Sequence, residues 1–205
     1  MAPKMMIRLC LLVALALPQA ALATPLDLTL PLSPDIMSGF IDVTFDASSD
    51  TLEATGFALT LDGAPISNGT FLLIVDLAAI SGTLDIGGNV GGSGPSLLTG
   101  DLTAFGFIPG GGDPLEFTFS ATGGDLLSLF GGLSAPIGVI LSGTAFPGDF
   151  ASDFDNRLGL AQGTGSGVAD AAAVPEAGTA VLLLLGGFGL ATRRASRIRR
   201  TGVQR

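Results

Sequence analysis

The densest collection of groups able to do chemistry in this chain is the run Asp149-Phe150-Ala151-Ser152-Asp153-Phe154-Asp155-Asn156, followed at once by Arg157. Asp149, Asp153, Asp155 and Asn156 supply the hard oxygen ligands that calcium takes. Their spacing departs from an EF-hand loop, which alternates its carboxylates and needs a glycine at the sixth position. Two accounts therefore stand side by side. One is a speculative calcium site; the other is a solvated acidic loop with Phe150 and Phe154 turned into the core and Arg157 paired with Asp153 or Asp155. The rest of the chemical inventory is narrow. The chain has no histidine, its one cysteine is Cys10, and its one lysine is Lys4. Nucleophilic triads and dyads each lack an indispensable member, and zinc, copper and haem sites lose their imidazole and thiolate ligands. Paired carboxylates remain, the apparatus of glycosidases and aspartic proteases. Without tryptophan or tyrosine to stack a sugar ring, a carboxylate hydrolase ranks last among the functional readings. The glycines from Gly87 to Gly94 lack the Lys-Ser/Thr of a phosphate-binding loop and read as a flexible loop.

Charge sorts the classes further. Between residues 24 and 173, Arg157 is the only basic residue, facing every aspartate of the chain together with Glu53 and Glu116. Such a surface repels phosphate backbones, which rules out nucleic acid as a partner. It favours association with cations and works against the compact state through self-repulsion.

The elements that must position these groups are strands. Ile41-Asp42-Val43-Thr44-Phe45 and Leu115-Glu116-Phe117-Thr118-Phe119 alternate apolar and polar residues, the pattern of half-buried strands. Thr70 to Ile80 is a nearly unbroken apolar run and predicts a central strand covered on both faces. Shorter strands are expected at 56–61, 83–86, 98–107 and 137–146. Asp62-Gly63 and Asn68-Gly69 are hairpin signals. One short helix is expected over 126–130, capped by Asp125 and ended by Gly131. The sum is an all-β fold, an antiparallel β-sandwich or small barrel. The expected ectodomain covers residues 24–161, followed by a Gly/Ser/Ala linker over 162–173.

Both ends carry targeting patterns. Residues 1–23 read as a secretory signal peptide: Lys4 and Arg8 are basic, 7–17 are apolar, and Ala21-Leu22-Ala23 is a small-x-small cleavage site. At the other end, Val174, Pro175, Glu176 and Ala177 precede an uncharged apolar run through Thr192. The basic group Arg193, Arg194, Arg197, Arg199 and Arg200 follows. The run is about 24 Å long as a helix, short against a ~30 Å bilayer core, and the arginines would hold its end on the cytoplasmic side. A single C-terminal transmembrane helix is expected there, anchoring the chain at least transiently in the inner membrane.

The tail over 174–205 resembles a PEP-CTERM sorting signal, whose pattern is Pro-Glu-Pro, a short hydrophobic helix and an arginine-rich end. Pro175 and Glu176 match the first two motif positions, and Ala177 stands where the second proline usually falls. The resemblance implies an exosortase substrate of a gram-negative, exopolysaccharide-making bacterium, its tail removed by an integral-membrane cysteine protease. The resulting expectation is a secreted or cell-surface, non-enzymatic protein, structural or adhesive in the envelope or exopolysaccharide matrix. Cations could bridge its carboxylates to acidic sugars. The alternative is a calcium-dependent binding module, and calcium is the one cofactor either reading admits.

Overall fold

A computed structural model describes residues 24–157 and 165–174, and these contain ten strands and no helix. In chain order they are β1 (Asp35–Asp46), β2 (Thr51–Leu61), β3 (Ala64–Pro65), β4 (Ser67–Asp76), β5 (Ser81–Asn89), β6 (Ser96–Gly106), β7 (Leu115–Gly123), β8 (Pro136–Ser142), β9 (Phe154–Asp155) and β10 (Gly167–Ala173). Eight of them run round in the order β1-β2-β4-β5-β6-β7-β8-β10, and β10 returns to pair with β1. Every pairing is antiparallel, so the sheet closes into an eight-stranded barrel without a free edge along the wall. The stubs β3 and β9 pair outside the ring with β2 and β1. The described residues thus settle the choice between sandwich and barrel.

Eight strands leave a lumen just wide enough to be filled by side chains. Ile41, Val43, Leu52, Leu73, Ile86, Leu98, Phe117, Phe119, Val139 and Leu141 fill it, all fully buried. The outward positions between them carry Asp42, Thr44, Glu53, Thr55, Asp85 and Asp101. The lumen is apolar and the outer wall mixed, since Met37, Phe57, Leu59, Ile74 and Val168 also face outward and are exposed.

The antiparallel turns define two ends. Loops 62–63, 90–95 and 124–135 and the exit at Val174 share one, here called the exit end; loops 47–50, 77–80, 107–114 and 143–153 share the other, the far end. The far end is stoppered by phenylalanines. Phe150 sits against Phe45, Phe107 and Phe146 with ring centroids 4.9, 5.1 and 4.7 Å apart, and Phe154 stacks on Phe45 at 5.4 Å. Edge and tilted contacts of this kind add about 0.5–1.5 kcal/mol per pair beyond area burial.

Several expectations are corrected. The linker expected over 162–173 is, from Gly167 onward, the strand that closes the barrel. Its glycine and alanines read as a linker by composition. In place, Gly167, Ala169 and Ala171 are buried, and a Cβ added at Gly167 would lie 3.0 Å from the Ile41 side chain. The β-rich domain therefore extends to Ala173. Thr70–Ile80 is not covered on both faces: β4 stops at Asp76, Leu72 and Ile74 face outward, and 77–80 is a turn. Asp62-Gly63 is a hairpin turn, with φ of 49° and 79°, whereas Asn68-Gly69 is a bulge inside β4. Gly87 and Gly88 belong to β5 rather than to a loop. The expected helix over 126–130 is a single hydrogen-bonded turn, Phe130 N–H donating to the Leu126 carbonyl at 3.2 Å. The expected signal peptide over 1–23 and the tail from Pro175, with its expected transmembrane helix, lie outside the described residues.

The closing strand supplies a test. Ala171→Leu should overpack the lumen and lower stability by about 1–3 kcal/mol, while Val168→Leu, on the outward face of the same strand, should leave it nearly unchanged. Denaturant unfolding reads both; in a flexible linker neither would register.

Candidate functional site

The acidic loop is where chemistry was expected, and the structure disperses its ligands. Asn156 is buried and fully engaged: its Oδ1 accepts from Val43 N–H at 2.9 Å, and its Nδ2 donates to the Ile41 and Gly143 carbonyls, each at 2.9 Å. It bridges β1 to the loop after β8, a structural role that no sequence signal marked. Asp153 accepts from Ala47 N–H at 2.8 Å, tying this loop to the turn after β1. Asp149 folds onto its own loop through Ala151 N–H at 3.0 Å. Asp155 pairs with Arg157, Nη2 lying 2.9 Å from Oδ2. The side-chain hydrogen bond from Arg157 holds the Asp155 carboxyl below its ordinary value, and the same bond raises the guanidinium. Phe150 and Phe154 turn inward and Arg157 pairs with Asp155, as the solvated-loop account expected. Among the described residues, no group of three or more acidic side chains is placed to hold a metal ion.

The same use of carboxylates recurs round the barrel. Glu116, on the outer face of β7, accepts from three successive backbone N–H groups: Leu26 at 2.6 Å, Asp27 at 3.0 Å and Leu28 at 3.1 Å. It thereby fastens the segment 24–34 across the wall as a strap. Gly138, on the neighbouring strand β8, leaves the room into which the strap's Leu30 packs, since a Cβ there would lie 2.6 Å from its methyl carbon. Asp113 accepts from Gly143 N–H at 2.8 Å and from the Thr144 hydroxyl, joining the loops before β7 and after β8. Asp42, also buried, accepts from Gly165 N–H at 2.8 Å. Asp62 accepts from Asp35 N–H at 2.9 Å.

One carboxyl pair departs from the pattern. Asp170 on β10 and Asp35 on β1 lie diagonally on the outer face, where Met37 stands opposite Asp170 and Ala172 opposite Asp35. Asp35 Oδ1 and Asp170 Oδ1 are both buried without a donor. A proton on Asp170 would let that carboxyl donate to Asp35 and satisfy both. Burial first, and then the hydrogen bond and charge of Asp35, push the Asp170 carboxyl up to about 7. Two paired carboxyls resemble hydrolytic apparatus, yet neither residue lines any of three grooves formed by the described residues, one of which is lined instead by Asp42 and Asp85. Two of those grooves lie on the wall of β1, β2 and β4. A bulge there, with φ of 53° at Phe40, turns that ring outward to 60% exposure beside Phe57.

Of the expected sorting motif, only Val174 is described: its N–H donates to the Pro136 carbonyl at 2.9 Å. Pro175, Glu176, Ala177 and the arginines 193, 194, 197, 199 and 200 lie outside the described residues. No family model matches the chain, and neither a curated protein nor a solved structure matches it.

Asn156→Ala should orphan one buried N–H and two carbonyls and cost about 1–3 kcal/mol for each group left unpaired; the exposed Asp155→Ala should change denaturant unfolding little. For Asp170 the sign follows from its raised value. Its contribution is fully present below the unfolded value near 3.8 and is lost as pH rises through about 7. Asp170→Asn, which cannot ionise, should therefore melt above the parent at pH 8–9, with the gap closing toward pH 4.

Proposed function

We propose that this chain is an exported, exosortase-sorted protein of the cell envelope whose barrel is a non-enzymatic structural or adhesive module. The observation that carries the reading is how the carboxylates are spent. They are the one kind of catalytic group the composition leaves, and Asp62, Asp113, Asp153 and Glu116 hold backbone N–H groups in place and line none of the three grooves described above, while Asp42, which holds the Gly165 N–H, also lines one of them with Asp85. A lumen filled by apolar side chains supports the same reading, because a filled barrel is a scaffold rather than a container.

The tail carries the destination. Residues 1–23 bring the chain across the inner membrane, and the segment from Val174 holds it there until an exosortase removes the tail. The barrel then passes to the cell surface or the medium. Its exposed acids meet matrix polysaccharide through bridging cations, the complementary charge for acidic sugars. The calcium-dependent binding module has less support, since Asp149, Asp153, Asp155 and Asn156 each hold a different partner.

Intact mass of the native protein from the cell surface and culture medium tests the sorting. The expected species begins at Thr24 and ends near Pro175. A species retaining all the arginines, confined to the inner-membrane fraction, would mean a permanent anchor instead.

A further inference from the structure

We infer that the exit end of the barrel is a lipid-contacting surface, seated on the interface of a zwitterionic bilayer while the tail is in place; the inference rests on the tail being a membrane segment. Three parts of the chain meet at this end. The strap brings Pro31 and Pro34, the loop before β8 brings Leu129 and Ala135, the start of β8 brings Pro136, and the residue after β10 is Val174, all lining one open groove. The side chains bordering it are unusually apolar for an exposed surface. Leu32 is 93% exposed, Leu133 71% and Leu129 48%. Ile80 and Ile108 are also half exposed at the far end, but Leu32 and Leu133 are the two most exposed large apolar side chains among the described residues, and both stand at the exit end.

The occupant follows from where the chain leaves. Val174 is tied to the barrel through the Pro136 carbonyl, and the uncharged run begins at Ala177. Three residues of fully extended chain reach about 10 Å, so a membrane-embedded run brings the exit end within the headgroup region. The leucines stand where amphipathic surfaces bury their apolar face, about 5–10 Å into the headgroup and acyl boundary.

Charge points the same way. Asp46, Asp50, Asp76, Asp113, Asp149, Asp153 and Asp155 lie in or beside the far-end loops. The exit end has Asp35, Asp62 and Asp125 in or beside its turns. Asp62 is engaged with Ser33 and the Asp35 N–H, and Asp125 accepts from Gly94 N–H at 2.7 Å. The Gly-rich tip 90–95 has no charge at all. The barrel therefore presents its sparsely charged, leucine-bearing end to lipid and its acids to the aqueous phase.

The test uses the full chain carrying Cys10→Ser and one new cysteine, reconstituted into phosphatidylcholine vesicles. Leu32→Cys and Leu133→Cys probe the exit end; Ile80→Cys and Ile108→Cys, at half-exposed far-end positions, are the references. Each is labelled with a polarity-sensitive dye. Co-flotation with the vesicles is expected, with a blue shift and loss of iodide quenching at 32 and 133 but not at 80 and 108. Flotation with all four labels equally quenched would overturn the lipid contact and leave the membrane tail standing. A chain that does not float sinks both. Shielding of 32 and 133 without vesicles would assign the surface to the chain's own tail or to a second copy, and overturns the proposal as well.

Discussion

The carboxylate accepting a backbone N–H is the interaction on which this fold turns. With Arg157 the only basic side chain among the described residues, ion pairing cannot answer the charge that so many aspartates carry. The answer comes from main-chain dipoles. Asp153 ties the loop before β9 to the turn after β1, Asp113 ties the loops flanking β7 and β8, and Glu116 gathers three N–H groups of the strap. A bond of this kind is charge-assisted, shorter and roughly twice as strong as a neutral one. It also satisfies loop donors that would otherwise have to face water. An excess of acid that looks hostile to folding when summed over the sequence is largely a set of loop staples when placed on the barrel.

That distinction explains what could and could not be read from the residues alone. The alternating strands at 41–45 and 115–119 were legible because one face is dry and the other wet, and periodicity records that difference directly. The all-β class followed, although sandwich and barrel share the same alternation and only the pairing of β10 with β1 separates them. The run Gly167–Ala173 misled because in a packed lumen alanine is a size, whereas in a composition count it signals flexibility. Asn68-Gly69 has the residues of a turn, and the bulge in β4 uses the same left-handed freedom without reversing the chain. The acidic loop was legible as an acidic loop, with its phenylalanines inward, but the role of Asn156 depends on three partners far off in sequence. Asp35 and Asp170 show the same limit: nothing local joins residues that meet only on closure of the barrel.

The two ends of the barrel divide the labour. The far end combines a phenylalanine stopper with acidic loops above it, so its rigidity and its charge come from the same residues 143–157. The exit end is lighter, built of short turns, a glycine-rich tip and the strap. A scaffold of this kind can vary its outward positions without disturbing the lumen, because each strand separates the two sets by alternation.

Closure by the last strand sets the order of events in folding. A chain that emerges from its N-terminus delivers β1 first and β10 last, and until β10 arrives the edges of β1 and β8 both stand open. Open edges are templates for pairing with other chains, and contacts between distant parts of a sequence form slowly. Each nascent molecule therefore passes through an interval in which a seven-stranded, unclosed sheet waits for residues adjoining the tail. The strand made last is thus the one that seals the wall, so a chain that stops short of Gly167 lacks one strand but exposes two edges.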